Sequence, residues 1–553
     1  MTNATVPADG PAIVEIEGLE VGYLREDAVD PAVRDLTLRV GRGEIVALVG
    51  ESGSGKTTTA LAVIGLLPDR ARTTGGSIRV AGTEIVGTAE KVVRPLRGAT
   101  VALIPQDPMV GLNPTQRVGR QVAEAVRLRG PRGPELHAEV LDTLHAAGLD
   151  DPGRVLHRYP HELSGGQRQR VLIAIALAGK PDLIIADEPT SALDVTVQAR
   201  ILDHLESLVR GSGTALLIIT HDLAVAADRA DRVVVMRRGR IVEQGAPGRI
   251  LVDPEHPYTR DLIAAAPALA GGGIAEPRFA LRSGDPEVAD PILELAGVCK
   301  EFRSARGASG RYTTIALDDV SIRVAAGRTH ALVGESGSGK TTTLRIAMAL
   351  TKPTAGAVRF DGTDLTALSH RQLRTLRRRF QLVHQNPFAA LDPRFTVGDS
   401  IIEPLVSFGI GNRRGRRARA LELLDQVALP RTFHDRLPAE LSGGQRQRIA
   451  IARALALEPE LVLLDEPVSA LDVSVQQQIL ALLVDLQQRL HLTYVFVSHD
   501  LAVVGQLAHT VSVFERGTVV ESGSVATVFR HPSSEYTERL LAAIPGRRAT
   551  VRS

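Results

Sequence analysis

The sequence predicts an α/β fold repeated twice in tandem, each copy built on a mostly parallel core sheet. Three observations predict it. The octapeptide Gly50-Glu51-Ser52-Gly53-Ser54-Gly55-Lys56-Thr57 returns unchanged as Gly334-Glu335-Ser336-Gly337-Ser338-Gly339-Lys340-Thr341. Each copy follows a short run, Ile45 to Val49 or His330 to Val333, that reads as a buried strand, and each precedes a helix-compatible segment. Later motifs keep a constant register: Ser164 and Ser442, Glu188 and Glu466, and His221 and His499 all stand 278 positions apart, against 284 for Lys56 and Lys340.

In the strand–loop–helix setting, the octapeptide is a phosphate-binding loop. Its glycines let consecutive backbone N–H groups turn toward one anion, and the helix N-terminus adds partial positive charge. Lys56 and Lys340 would reach the β- and γ-phosphates, and the hydroxyls of Thr57 and Thr341 would hold Mg²⁺. Only six of the 65 basic residues are lysines, so a lysine in both loops stands out against the arginine background.

The elements follow in order. Ala12 to Tyr23 and Pro291 to Phe302 alternate apolar and polar residues like half-buried strands, each ending in an aromatic. Tyr23 and Phe302 would either stack on an adenine base or cap a sheet edge. Apolar runs then lead into Gln106-Asp107-Pro108 and Gln385-Asn386-Pro387, where the glutamines are expected to close strands. Leu112-Asn113-Pro114 and Leu391-Asp392-Pro393 supply turn chemistry that opens a mostly helical insertion. Leu163-Ser164-Gly165-Gly166-Gln167 and Leu441-Ser442-Gly443-Gly444-Gln445 come directly before helical patterns, which makes each a second anion site. Leu183 to Glu188 and Leu461 to Glu466 are apolar runs ending in Asp-Glu, buried strands that deliver carboxylates to the sheet edge where α/β folds bind ligands. Ser191-Ala192-Leu193-Asp194 and Ser469-Ala470-Leu471-Asp472 follow, then apolar strands ending at His221 and His499.

Composition bounds the rest. At 553 residues the chain exceeds what one core serves, and 44% hydrophobic with 23% charged content is that of a soluble globular protein. A net charge of +2 gives no argument for a nucleic-acid partner. The arginine-rich runs Arg371 to Arg379 and Arg413 to Arg419 read as solvated helix faces, with anionic lipid or a partner as the alternative. Cys299 is the single cysteine, so no intrachain disulfide, multi-cysteine zinc module or self-contained iron–sulfur cluster is expected; it should pack as a small apolar residue in an early strand. The N-terminus lacks the basic start and apolar core of a secretion signal. Apolar stretches such as Val171 to Gly179 fall short of the roughly 20 residues that span a bilayer, so a membrane role must run through partners. A Gly/Ala/Pro-rich segment with Gly271-Gly272-Gly273 reads as a linker, long enough at roughly 80 Å extended to let the halves face each other.

These motifs, in this order and twice over, resemble the ATP-binding-cassette (ABC) ATPases. The resemblance implies two P-loop NTPase domains, at 12–266 and 291–545, joined by the linker 267–290. Each would have a core sheet, an antiparallel β subdomain and a helical subdomain. By the resemblance Tyr23 and Phe302 stack on adenine, and Gly50, Ser52, Gly53, Ser54, Gly55, Lys56, Thr57 and Thr58 bind ATP, as do Gly334, Ser336, Gly337, Ser338, Gly339, Lys340, Thr341 and Thr342. Gln106 and Gln385 sense Mg²⁺ and water, Asp187 and Asp465 support Mg²⁺, Glu188 and Glu466 polarise the water, and His221 and His499 contact the γ-phosphate. Ser164, Gly165, Gly166 and Gln167, with Ser442, Gly443, Gly444 and Gln445, would cap the nucleotide held by the opposite half.

Within that superfamily the details resemble ATPase subunits of bacterial dipeptide and oligopeptide importers. These include Gln106-Asp107-Pro108, the stretch Ala186 to Gln198, and His256-Pro257-Tyr258-Thr259, echoed by His531-Pro532-Ser533-Ser534-Glu535-Tyr536-Thr537. This implies two membrane permease partners, indirectly an extracytoplasmic solute-binding protein, and a peripheral place on the cytoplasmic face of the inner membrane. Many members carry a cysteine-rich tail linked to an iron–sulfur cluster; this chain has no such cysteines. Import of nickel, glutathione or another small solute stays open. So does a soluble tandem ABC protein acting on ribosomes or DNA, although the flexible linker and single cysteine argue against it.

Overall fold

The computed structural model describes residues 11–25, 28–190, 193–266, 269, 291–303, 313–386, 390–469 and 471–546. The chain divides into two compact units whose boundary along the sequence falls at Ala270 and Gly271. The expected linker at 267–290 lies outside the described residues, apart from Leu269.

Among the described residues the first unit contains ten strands: β1 (Ala12–Arg25), β2 (Ala28–Gly41), β3 (Ile45–Val49), β4 (Ala71–Val80), β5 (Thr83–Glu84), β6 (Val101–Ile104), β7 (Leu183–Asp187), β8 (Ala215–Thr220), β9 (Arg232–Arg237) and β10 (Arg240–Gly245). Two sheets result. The smaller is antiparallel, in the order β2-β1-β4-β5. The larger has the order β10-β9-β3-β8-β7-β6 and is parallel except for the antiparallel edge strand β10.

Every residue of β3, β7 and β8 is buried, as a sheet covered on both faces requires. Alternation then decides which face each side chain serves. Val46, Leu48, Ile185, Leu217 and Ile219 join the core shared with the antiparallel sheet and the helix Lys56–Val63. Ile45, Ile184, Ala186, Leu216 and Ile218 face the other way, against the helices Val118–Val126, Gly133–Ala146 and Gly165–Ala178. Ala47 and Val49, with Val233 and Val235, meet the helices Leu223–Arg229 and Pro257–Ala265.

The second unit repeats this plan with β11 (Pro291–Arg303), β12 (Thr313–Ala325), β13 (Thr329–Val333), β14 (Ala355–Phe360), β15 (Thr363–Asp364), β16 (Phe380–Val383), β17 (Leu461–Asp465), β18 (Thr493–Val497), β19 (Thr510–Glu515) and β20 (Thr518–Ser524). Its sheets run β12-β11-β14-β15 and β20-β19-β13-β18-β17-β16, the same two orders.

Two details depart from the sequence reading. The glutamines lie two residues beyond their strands, since β6 ends at Ile104 and β16 at Val383. Cys299 sits in β11 as expected but is half-buried, and its sulfur is engaged with the backbone: Sγ accepts the Asp319 N–H at 3.4 Å and lies 3.8 Å from the Gly297 carbonyl. Among the described residues, no helix is long and apolar enough to cross a membrane.

Candidate functional site

Strand order assembles the site. Because β3, β8, β7 and β6 are consecutive neighbours, their C-terminal ends bring together the phosphate loop, His221, the Asp187–Glu188 pair and Gln106. Gln106 Nε2 donates to Glu188 Oε2 at 2.7 Å, and His221 Nδ1 lies 3.0 Å from Glu188 Oε1. The second unit reproduces this with Gln385 Nε2 at 2.8 Å and His499 Nδ1 at 3.3 Å from Glu466 Oε2. Each glutamate is therefore held by two side chains from other strand ends, on separate oxygens at Glu188 and on the same oxygen at Glu466.

Both glutamates also sit in left-handed backbone, with φ of 44° at Glu188 and 46° at Glu466. A non-glycine residue there stores strain of about 1–3 kcal/mol. Their N–H groups bond back to the neighbouring strand, Glu188 to Ile219 at 2.8 Å and Glu466 to Val497 at 3.1 Å, which holds the turn that aims the carboxylate. Nothing in the residue pattern signalled this feature.

The phosphate loops are pre-shaped around their lysines. Lys56 is buried, and its Nζ donates to the carbonyls of Gly50 at 2.6 Å and Glu51 at 2.9 Å; Lys340 does the same at 2.7 and 2.8 Å. Gly50 is obligatory: a Cβ there would stand 2.1 Å from the Met236 carbonyl oxygen, and at Gly334 2.2 Å from that of Phe514. Ser52, Gly53, Ser336 and Gly337 lie exposed at the loop tips, while Ser54 and Ser338 are buried. The helices starting at Lys56 and Lys340 have glycine N-caps and no side-chain cap, so their first amides are left to an anion.

Thr57 is exposed at the helix start, near enough to the Asp187 carboxylate to favour its charged form; Thr341 Oγ1 donates to Asp465 Oδ1 at 3.4 Å. Asp187 Oδ1 is buried without a hydrogen-bond partner, an acceptor that a cation would satisfy. Among the described residues no group of three His, Cys, Asp or Glu side chains could by itself hold a metal. A Thr–Asp pair beside a phosphate loop is instead the donor set of a hard cation that completes its shell on phosphate and water.

The two acids of each pair are driven apart electrostatically. Burial raises Asp187 and Asp465 above the ordinary carboxylate range, with the adjacent glutamate adding to the rise. Burial works the same way on Glu188 and Glu466, but is outweighed by the histidine, the loop lysine and the glutamine, so both lie below the ordinary value and are ionised. Burial lowers Lys340, with the site carboxylates opposing it.

Ser164 caps the helix Gly165–Ala178: its Oγ accepts the Gln167 N–H at 3.3 Å, while Gln167 Oε1 accepts the Ser164 N–H at 3.1 Å. Ser442 and Gln445 form the same reciprocal cap at 3.4 and 3.0 Å. Ser164, Gly165 and Ser442 are exposed, and Gly166, Gly443 and Gly444 are half-buried, so both helix starts reach solvent.

The aromatics are placed unequally. Tyr23 is half-buried against the core, with its hydroxyl 3.3 Å from Thr58 Oγ1, which ties both to the loop helix. Phe302 is 47% exposed, with Lys300 Nζ 5.1 Å from its ring centre. Thr342 is half-buried in its helix. Ser191, Ala192, Pro387 and Ala470 lie outside the described residues.

The pattern of the ABC transporter family matches residues 33–191 and 317–469, the stretches that carry both phosphate loops and both Asp-Glu strands. The chain is 43% identical to the oligopeptide transport ATP-binding protein OppD of Mycobacterium tuberculosis, over 96% of this chain and 98% of that protein. The chain belongs to the ABC transporter ATPases. As a two-domain ABC ATPase it binds and hydrolyses ATP. A second family pattern, the oligopeptide/dipeptide transporter C-terminal region, matches residues 242–286. The glutathione import ATP-binding protein GsiA of Pectobacterium atrosepticum is 43% identical over 96% of this chain and 89% of its own length. Among solved structures, the dimeric post-hydrolysis ATP-binding cassette MJ0796 bound to ADP and Pi aligns with 42% of this chain and 98% of its own, at 27% identity and a TM-score of 0.39.

Proposed function

We propose that this ABC ATPase energises the import of short peptides through two separate permease subunits fed by an extracytoplasmic solute-binding protein. It would act as a peripheral subunit on the cytoplasmic face of the inner membrane. The observation that carries the reading is the near full-length likeness to an oligopeptide-transport ATPase, joined to the oligopeptide/dipeptide C-terminal pattern at 242–286. The GsiA likeness favours a second cargo of the same chemical class, since glutathione is itself a tripeptide.

In this reading the domains are 12–266 and 291–545, with 267–290 as linker. Thr57 with Asp187, and Thr341 with Asp465, would hold Mg²⁺, which supplies charge neutralisation on the β- and γ-phosphates. Glu188 and Glu466, ionised and aimed by the glutamine and histidine beside them, orient and deprotonate the attacking water, assistance worth about 10²–10⁴ in rate. Tyr23 and Phe302 stack on adenine.

Each site is composite. A phosphate loop leaves one side of the γ-phosphate open to water, and a Ser-Gly-Gly helix start is the complementary anion cap. Lys56 shares one ATP with Ser442, Gly443, Gly444 and Gln445, and Lys340 the other with Ser164, Gly165, Gly166 and Gln167. The linker raises each half's effective concentration to about the millimolar range.

Proteoliposomes holding the chain, its permeases and binding protein test the cargo. ATP-driven uptake of a labelled tetrapeptide is expected, with glutathione as competitor. Uptake of nickel alone, or recovery of the chain only with ribosomes when all partners are co-expressed, would overturn the reading. Nucleotide occlusion at the Lys56 site that survives Ser442→Arg would overturn the facing partners.

A further inference from the structure

Tyr258 and Tyr536 stand 278 positions apart in the two units, and neither phosphate binding nor the carboxylate chemistry uses them. Tyr258, on the helix Pro257–Ala265, is 2% exposed, and its hydroxyl oxygen accepts the Glu51 N–H at 3.0 Å. Tyr536, on the helix Glu535–Ala542, accepts the Glu335 N–H at 3.0 Å. The contacts span 207 and 201 residues, so they are two independent instances of one tertiary bond.

The bonded group matters. The Glu51 N–H belongs to the same peptide unit as the Gly50 carbonyl, and that carbonyl accepts Lys56 Nζ at 2.6 Å. In a trans peptide the two groups point in opposite directions. The Gly50–Glu51 peptide is therefore held by the phosphate-loop lysine Lys56 on one side and by the tyrosine on the other; Gly334–Glu335 is held alike by Lys340, at 2.7 Å, and Tyr536.

The tyrosine is itself fixed. Glu243 accepts the N–H groups of Glu255 at 2.8 Å and His256 at 3.1 Å, which seats the start of the helix. Glu521 does the same with the N–H groups of Ser533 at 2.8 Å and Ser534 at 3.3 Å. Arg237 lies 4.6 Å over the Tyr258 ring and Arg539 5.7 Å over that of Tyr536.

We propose that Tyr258 and Tyr536 are positioning residues for ATP binding: each sets the orientation of the peptide unit that carries its loop lysine, so the C-terminal helix of each domain governs ATP affinity through that strut. Removing the hydroxyl frees the peptide to rotate, and the loop must then be ordered at the moment ATP binds.

The test uses the full-length chain with Tyr258→Phe, Tyr536→Phe and the double variant, which keep the ring and its packing. Hydrogen exchange is read in peptides running on to Ala60 or Leu344, which distinguish the two identical loops. Each single variant is expected to speed exchange at Glu51 or Glu335 only in its own loop. KM for ATP should rise about 3- to 10-fold in the double variant, the size of one hydrogen bond per site, with kcat within about twofold. Leu262→Ala, in the same helix but away from the loop, should lower the melting temperature and leave KM unchanged. Unchanged exchange at Glu51 in Tyr258→Phe overturns the strut whether or not the chain transports peptides. So does a KM rise in Leu262→Ala equal to that of Tyr258→Phe.

Discussion

Acid should destabilise the second unit through a histidine that the first unit does not have. His330 occupies the place in β13 that Val46 occupies in β3, and it is 3% exposed. Its ring is satisfied as the neutral imidazole, Nδ1 lying 2.8 Å from Thr510 Oγ1 and Nε2 3.0 Å from Ser512 Oγ. Burial alone pushes its pKa from 6.5 down to about 4. Because the folded value lies below the unfolded one, the unfolded chain takes up the proton first, and stability is lost as pH falls through 6.5 toward 4. Between pH 8 and pH 5 this one group removes about 2 kcal/mol, using about 1.4 kcal/mol per pKa unit. For a unit of this size that is about 4–8 °C in melting temperature. His509 acts in the same direction: burial, with Arg328 beside it, lowers it to about 4, and its Nδ1 accepts the Thr329 N–H at 3.0 Å, a bond that protonation breaks. His499 acts oppositely. Burial would lower it, but Glu466 outweighs this and raises it, so its contribution is present below pH 6.5 and fades as pH rises. Comparison with His330→Gln, which keeps hydrogen-bonding capacity without a titrating group, isolates the His330 share. Calorimetry at pH 8 and pH 5 should show the wild-type transition of the second unit falling about 4–8 °C further than that of the variant. An equal fall in both would refute the assignment of this loss to His330.

Glu188→Gln and Glu466→Gln should each cut turnover at their own site by about 10²–10⁴ while leaving ATP binding intact; full activity in one and none in the other would show unequal sites. Gly50→Ala should abolish ATP binding at the first loop because its methyl group meets the Met236 carbonyl at 2.1 Å, whereas Gly53→Ala, with open space around the position but φ of 77°, should cost only about 1 kcal/mol of loop strain. Equal nucleotide affinity for both glycine variants would count against the steric argument. Ser164→Ala should lose about 0.5–2 kcal/mol of stability from the uncapped helix, measured by urea unfolding. Chelation of Mg²⁺ should stop hydrolysis, and restored activity on adding Mg²⁺ back would be the check.

The sequence by itself determined the fold class, the duplication and the types of group at the site. Apolar runs ending in Gly-x-x-x-x-Gly-Lys-Thr, Asp-Glu and His mark buried parallel strands whose C-terminal ends carry chemistry, and the constant register ties the two halves together. Strand order, by contrast, is a tertiary property. Local periodicity says that β3, β6, β7 and β8 are buried strands, but not that they lie in the order β3-β8-β7-β6, and it is that order that puts Gln106 and His221 on the same carboxylate. The left-handed φ of Glu188 and Glu466 was likewise hidden, because a glutamate after a strand carries no composition signal when the strain is sustained by a hydrogen bond to the neighbouring strand. Tyr258 and Tyr536 were visible as repeated residues but silent about their role, since a hydroxyl bound to a backbone amide about 200 positions away leaves no spacing to read. His330 shows the same division. Aligning the halves reveals a histidine where Val46 stands, but only the packing of β13 against β19 decides that it is buried, paired with two hydroxyls and held neutral.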